Sequence, residues 1–225
     1  MPTAKIIEIF HSLQGEGIHL GEPMTFVRFL GCNLSCDYCD TRYATDETRA
    51  TEMSADQAVA QVRSLGQPGE FIALTGGEPL LWADFIAEIG QVLKTAGYKL
   101  YLETNGTLLT ELAKVVALLD VAAMDIKPPS ACGADLWDAH REFLRIAGER
   151  AFVKLVVAAN TQMAEVERAA ALVAERGRVM HFVLQPAEGQ LAPDMQFVRR
   201  CQAAADRHLD QVHIISQMHK RWGVR

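Results

Sequence analysis

Little in this chain suits a secreted, membrane-bound or nucleic-acid-coating protein. No apolar run approaches the roughly 20 residues that a membrane-spanning helix needs. The start, MPTAKIIEIF, has no charged segment leading into a short apolar one, so neither membrane insertion nor secretion is expected. Lysine and arginine number 22 against 28 aspartates and glutamates, a net charge of −6. A duplex nucleic acid favours a basic face, so no such partner is expected. Only five cysteines occur, and three of them crowd into one loop. That is poor material for a disulfide framework and suits a reducing cytoplasm. No linker, low-complexity tract or break in composition divides the chain, and one domain over 1–225 is expected. With 49% hydrophobic and 22% charged residues, it has the material for a substantial core and is not a disordered chain.

Short apolar runs alternate with longer amphipathic ones. Runs rich in β-branched and aromatic residues, bounded by Gly, Pro or Asn, read as strands at Met24–Gly31, Phe71–Thr75, Lys99–Glu103, Val121–Ile126, Phe152–Val157, His181–Gln185 and Val212–Ser216. Apolar spacing near i, i+3, i+4 marks helices at Ser54–Leu65, Asp84–Ala96, Leu108–Leu118, Ala134–Ala147, Gln162–Arg176 and Pro193–His208. Ser54 opens an S-x-x-Q capping box, Thr161 precedes a run with Glu165 and Glu167 in its first turns, and Gly97 and Gly177 stand where a left-handed C′ residue is wanted. Strand–helix repetition implies a parallel sheet with right-handed crossovers. Six such units are too few for a closed eight-fold barrel, so the expected fold is α/β, a partial (β/α)6 barrel with a mostly parallel sheet. Lys5–Phe10 supplies an extra strand or a cover.

In such folds the working residues lie at the C-terminal ends of the strands. The unusual residues fall there repeatedly. Thr75-Gly76-Gly77-Glu78-Pro79 follows the second expected strand, Glu103-Thr104-Asn105-Gly106 the third, and Asp125-Ile126-Lys127-Pro128 and Gln185-Pro186 end two later ones. After the first comes Gly31-Cys32-Asn33-Leu34-Ser35-Cys36-Asp37-Tyr38-Cys39-Asp40-Thr41. The spacing is C-x3-C-x2-C, with no fourth cysteine nearby. Three thiolates hold three irons of a [4Fe–4S] cluster and leave the fourth open to a ligand. The rival is a zinc site, which needs a fourth ligand such as His11 or His19. The double glycine lets backbone approach a ligand closely; on its own it reads equally as a tight turn into a Pro-started helix.

Cys32, Cys36 and Cys39 followed by Gly-Gly-Glu-Pro resemble the radical S-adenosylmethionine enzymes. The resemblance implies that the amino and carboxylate groups of S-adenosylmethionine chelate the open iron, and that reductive cleavage yields a 5′-deoxyadenosyl radical that abstracts a substrate hydrogen. It implies that Gly77 and Glu78 meet the methionine amine and that Tyr38 packs near the adenine. Cys39 and Asp40 on the cysteine loop, Asp125, Ile126 and Lys127, and Gln185 are the further cofactor contacts it implies.

Ser12-Leu13-Gln14-Gly15-Glu16-Gly17 carries a glycine-flanked Gln–Glu pair able to hold a planar heterocycle; in isolation it is a polar turn. Together with Arg28, the Cys39-Asp40-Thr41 run, ETNG and a late Gln-x-His-Lys segment, it is similar to the 7-carboxy-7-deazaguanine synthase family. That resemblance implies radical ring contraction of 6-carboxy-5,6,7,8-tetrahydropterin with loss of ammonia, in the biosynthesis of queuosine and related 7-deazapurines. Leu13, Gln14, Gly15, Glu16 and Thr75 would contact the pterin. Arg28 would pair with its carboxylate, or serve as a salt-bridged strand residue. Thr41 matches the Mg²⁺-ligand position. Glu16 is the candidate acid or base for the late proton steps. An electron donor such as flavodoxin or ferredoxin, a cytoplasmic location and a homodimer follow from the family alone.

Gln217-Met218-His219-Lys220 either closes over the substrate or is a solvated tail. Cys132 and Cys201 match no motif and read as packing or surface thiols. Two other functions remain open on sequence: an activating enzyme that makes a glycyl radical on a partner protein, and a non-enzymatic zinc-binding module.

Overall fold

The computed structural model describes residues 2–224. Its nine-stranded sheet runs β3-β1-β2-β4-β5-β6-β7-β8-β9. Here β1 is Thr3–Leu13, β2 Pro23–Phe29, β3 Thr51–Ser54, β4 Phe71–Gly76, β5 Lys99–Thr104, β6 Val121–Ile126, β7 Ala151–Val157, β8 Phe182–Pro186 and β9 Val212–Ile214. From β2 to β9 every pairing is parallel. β1 is antiparallel to both its neighbours. The sheet stays open, because β3 and β9 are its two ends.

The helices that return the chain between parallel strands are α1 (Ala55–Leu65), α2 (Ala83–Thr95), α3 (Leu109–Val115), α4 (Pro129–Cys132) with α5 (Trp137–Ala147), α6 (Met163–Ala174) and α7 (Met195–Ala205); α8 (Met218–Trp222) comes last. All seven expected strands are present with ends shifted by at most two residues, and all six expected helices with ends within three. Lys5–Phe10 lies inside the long β1, which extends the sheet. The strand β3 carries Thr-Glu-Met-Ser, too short and too polar to signal itself.

Local chemistry explains the helix starts. Ser54 accepts from Gln57 N while Gln57 Oε1 accepts from Ser54 N, the expected reciprocal box. At α6 the cap is Gln162, boxed with Glu165. Thr161 is not the cap, because its hydroxyl accepts from Ala158 N and closes the turn after β7. Gly97 (φ +88°) and Gly177 (φ +126°) take the left-handed conformation expected after their helices.

Alternation along each strand separates two cores. One parity faces the helices: Val27 and Phe29, Ile72 and Leu74, Leu100 and Leu102, Met124 and Ile126, Val153 and Leu155, Phe182 and Leu184. The other faces the concave side of the curved sheet, here called the lumen. Its lower tier is apolar, with Met24, Phe26, Phe71, Ala73, Tyr101, Ala123, Phe152 and Val183. The helix-facing core carries the larger share of buried apolar surface. Within it Phe85 on α2 is fully buried and meets Phe29 edge-on at 6.2 Å.

Phe85→Ala is expected to cost about 3–5 kcal/mol of stability, and Ser54→Ala about 1 kcal/mol. Urea unfolding midpoints of the two variants check both.

Candidate active site

The parity that places Phe71, Tyr101 and Phe152 in the lower lumen places a polar residue above each. Arg28, Thr75, Glu103, Asp125, Lys154 and Gln185 come from six adjacent parallel strands, five of them next to the C-terminal end and Lys154 in the middle of β7. All six line one cavity of about 1310 Å³. Burying this many polar groups is tolerable only where they satisfy one another or a ligand.

The cavity floor is the β1–β2 loop, which folds back into the lumen. Its neck is closed by Gln14 N to Glu22 O and Gly21 N to Gln14 O, both 2.8 Å. Below, the His19 ring sits against Phe71, Tyr101 and Phe152, with centroids 5.2, 5.5 and 6.3 Å away. Gly17 passes the same rings at φ +67°, where a Cβ would come within 2.7 Å of Phe152 Cζ. Above, Gln14 Nε2 donates to Glu103 Oε1 at 2.9 Å, and Thr75 Oγ1 donates to the other Glu103 oxygen at 2.7 Å. Gln14 Oε1 accepts from Glu16 N at 3.0 Å. Glu16 is ion-paired with Lys154, whose ammonium also lies 3.5 Å from Asp125. Asp125 in turn pairs with Lys127 at 2.8 Å.

The C-terminal segment forms part of the wall. Met218 N donates to Gly15 O at 2.9 Å. Gln217 Nε2 donates to Glu16 Oε1 and to Asp40 Oδ2, both at 2.8 Å, and Lys220 Nζ pairs with Asp40 at 2.9 Å. Gln217, His219, Lys220 and Val224 all line the cavity. The solvated-tail reading is therefore set aside. Gly15 is required for this contact, since a Cβ there would lie 2.5 Å from His219 Cβ and Nδ1.

The cysteine loop adjoins this segment through Asp40, and Cys32, Cys36 and Cys39 all line the cavity. The loop is seated by Gly31 N to Ala44 O, Glu78 N to Gly31 O and Asp37 N to Ala131 O. Gly77 passes so close that a Cβ would stand 2.2 Å from Gly31 O. Burial pushes the Cys36 thiol up to about 11 and raises Cys32 as well. Loading iron therefore has to displace protons from these thiols.

The donor set fits a cluster better than a single ion. Thiolates sharing a tetrahedral zinc at 2.3 Å lie about 3.8 Å apart. Among the described residues, the one group of three such ligand atoms all within 4.8 Å of one another is Glu16, Asp40 and His219, without any cysteine. His19 is packed in the lower lumen and His11 bonds with Thr25, so neither supplies the fourth zinc ligand. Leu34 N lies 3.5 Å from Cys32 Sγ, a backbone donor placed for a metal-bound sulfur. Beyond the cysteines, Asp125 Oδ1 and Gln185 Oε1 are buried without a partner. Both residues line the cavity, and two orphaned acceptors there suit a ligand bearing an ammonium and hydroxyls.

Most expected site residues are thus brought together: Leu13, Gln14, Gly15, Glu16, Arg28, Tyr38, Cys39, Asp40, Thr41, Thr75, Gly77, Asp125, Lys127 and Gln185 line the one cavity. Four placements bear on the expected roles. Ile126 has helix-facing parity and is buried in the outer core, so its side chain does not reach the cavity. Glu78 is fully buried beneath the wall. Its carboxylate accepts from Leu80 N, Thr104 Oγ1 and Asn105 N, tying the two strand ends together. Burial outweighs those bonds and lifts its pKa to about 7. Arg28 is a wall residue, but its Nε is already committed to Glu8 at 2.9 Å. For Glu16, burial alone would raise the pKa, but Lys154 and the hydrogen bonds from Lys154 and Gln217 bring it down to about 2. It is an anion at working pH and has no proton to give.

Sequence reasoning placed Glu103 and Asn105 on the rim without a specific contact and did not single out Lys154. Asn105 Nδ2 donates to Asn33 Oδ1 at 2.8 Å and steadies the cysteine loop. The available signal was a charged residue at lumen parity inside an apolar strand, as in KLYLET and FVKLVV.

Known proteins resemble this chain in sequence and in fold. The Radical SAM superfamily model matches residues 26–131. A protein of Geobacter sulfurreducens named 7-carboxy-7-deazaguanine synthase is 39% identical over 99% of this chain and 98% of its own. One of the same name from Methanothermobacter thermautotrophicus is 32% identical over the same shares. A crystal structure of QueE from Escherichia coli superposes with a TM-score of 0.65 at 21% identity, covering 94% of this chain and 93% of that one.

The low Glu16 pKa has a consequence for stability. The folded value lies below the usual 4.5, so the contribution is complete above that value and is lost as pH falls toward 2. Urea midpoints measured across this window should fall more steeply for the wild type than for Glu16→Gln; parallel curves would contradict the pairing. Gly15→Ala is expected to dislodge the C-terminal wall, seen as faster amide exchange at residues 218–222.

Proposed function

The chain belongs to the 7-carboxy-7-deazaguanine synthase family of radical S-adenosylmethionine enzymes, and on that premise we propose how its cavity carries out the reaction. The substrate is 6-carboxy-5,6,7,8-tetrahydropterin and the product 7-carboxy-7-deazaguanine, with loss of ammonia. When bound, the [4Fe–4S] cluster and S-adenosylmethionine supply a 5′-deoxyadenosyl radical able to take a hydrogen atom from carbon. This chain supplies binding, orientation and the exclusion of water.

Cys32, Cys36 and Cys39 hold the cluster. Gly77 lets the strand end pass close to the loop, and Glu78 holds the neighbouring ETNG turn in place. The orphaned oxygens of Asp125 and Gln185 would accept from S-adenosylmethionine, Tyr38, under the Lys127 ammonium, would offer its ring to the adenine, and Cys39 and Asp40 would contribute from the loop. Ile126 takes part through its backbone alone.

The substrate lies over the inserted loop. Gln14, Thr75 and Glu103 form one hydrogen-bonded row with an acceptor carboxylate at its centre. That row is the observation that carries the reading, because an amino-pyrimidinone edge presents adjacent donors to such a carboxylate. Glu16, kept ionised by Lys154, is a fixed acceptor for the same edge rather than an acid. Arg28 meets the pterin carboxylate with its Nη groups while Glu8 holds its Nε side. Thr41, on the cavity wall, would offer a hydroxyl oxygen to Mg²⁺, a hard cation that prefers such donors. Leu13 and Gly15 pack along the ring.

A one-electron donor such as flavodoxin or ferredoxin, a homodimer and a cytoplasmic location belong to the same proposal. No helix of the described residues is long and apolar enough to cross a membrane. An activating enzyme for a partner protein needs an approach for a polypeptide. Here the chain's own C-terminal segment bonds across to Glu16 and Asp40, which favours a small substrate.

Anaerobic incubation of cluster-loaded protein with reductant, S-adenosylmethionine, Mg²⁺ and the carboxytetrahydropterin should yield the deazaguanine and ammonia. Glu103→Gln should lower kcat/KM at least about tenfold while the protein still cleaves S-adenosylmethionine. Cofactor cleavage by the wild type without deazaguanine would reject the substrate assignment.

A further inference from the structure

Cys132 takes no part in the site described above, yet the fold sets it beside a cluster cysteine. It is the last residue of α4, the short helix after β6. The N–H of Asp37 donates to the carbonyl of Ala131 at 3.0 Å. The peptide unit carrying that N–H joins Cys36 to Asp37, and the unit carrying that carbonyl joins Ala131 to Cys132. The two cysteines are therefore attached to opposite halves of one hydrogen bond. In trans peptides Cα of Cys36 lies on the N–H side of its unit and Cα of Cys132 on the carbonyl-oxygen side of its own, so one hydrogen bond holds the two Cα atoms within roughly 6–7 Å, inside the span that a disulfide bridges. Both thiols are free and half-buried.

Of the neighbouring thiols, Cys132 acts on Cys36 more strongly than Cys32 does, as its proximity requires. Cys39, the C-x2-C neighbour, has Thr41 Oγ1 3.9 Å from its sulfur. Cys132 itself reaches no nearer than 3.8 Å to the Pro128 carbonyl, a weak bond that a disulfide replaces at little loss.

We propose that Cys36 and Cys132 form a disulfide when the cluster is absent. This reversible modification removes one of three iron ligands and makes cluster loading depend on prior reduction. The oxidant is a small-molecule disulfide of the glutathione class. One protein thiolate attacks it, forming a mixed disulfide and releasing one thiol. The second protein thiolate attacks the mixed disulfide and releases the other. Two protein thiols are oxidised, one small disulfide is reduced to two thiols, and both protons end on the released thiols. The pairing rests on this chain alone; its effect on iron rests on the cluster reading above.

The test uses full-length, iron-free protein incubated anaerobically with oxidised glutathione, alkylated, digested without reductant and mapped by mass spectrometry. The expected product is a peptide pair joined through Cys36 and Cys132. In Cys132→Ser, alkylation of Cys36 should rise at least about fivefold over oxidised wild type. Oxidised wild type should fail to take up iron and sulfide until treated with dithiothreitol, whereas Cys132→Ser takes them up directly. Full alkylation of Cys132, a Cys36–Cys39 or Cys32–Cys36 link in its place, or a lasting glutathione adduct on Cys36 would overturn the proposal. Should the cross-link form while fully reduced wild type also takes up no iron, the pairing stands and the cluster reading falls.

Discussion

The ion pair between Glu16 and Lys154 holds the site together. Lys154 projects from the middle of β7 into the lumen, where an unpaired ammonium would carry a heavy desolvation cost. Glu16 reaches it only because the β1–β2 loop turns inward and threads the lumen. The pair thus fixes a flexible glycine-rich segment against a rigid strand. Through Gln217 it also fixes the C-terminal segment, and through Asp125 it connects with Lys127 beside the cysteine loop. Floor, tail and cofactor wall share one charge network, and each lowers the cost of burying the others' charges.

That network is possible because the lumen has two tiers. Below, stacked aromatic and aliphatic side chains exclude water and give the loop a dry seat. Above, six strands each contribute one polar residue. A protein that handles a carbon-centred radical needs a dry, positioned substrate far more than it needs proton shuttles. The arrangement answers that need. Most charged groups in it are paired acceptors or fixed cations, and the principal unsatisfied atoms, on Asp125 and Gln185, lie where the cofactor is expected.

Much of this was legible in the sequence, and the exceptions have physical causes. Strand ends with Gly, Asn or charged residues announced the rim, and the cysteine spacing announced a loop whose three thiols face the cavity. Ile126 was misplaced because it sits between two cavity residues in a motif, although strict alternation already puts it on the helix face. Glu78 was taken for a ligand contact, yet a carboxylate so placed first satisfies the orphan N–H groups of two neighbouring turns. Lys154 was not singled out and Glu103 was given no specific contact, because one charge in an apolar strand is ambiguous until the lumen parity is known. The C-terminal Gln-Met-His-Lys segment was undecidable, since only the three-dimensional approach of Gly15 to His219 shows where it docks. Glu16 was read as a pterin contact and as an acid or base, but not as half of an ion pair, because its partner lies 138 residues away, beyond any local pattern.

The central claim is that Glu16 and Lys154 act as one unit, and a double-mutant cycle on folding stability tests it most directly. Removing one member of this half-buried pair strands the other charge at a cost below the roughly 3–5 kcal/mol of a fully buried pair, whereas removing both together costs less than the sum. The account predicts that Glu16→Gln with Lys154→Met is at least about 1.5 kcal/mol more stable than the two single effects add up to. Additive effects would contradict it, and would mean that the loop is held in the lumen by something other than this pair.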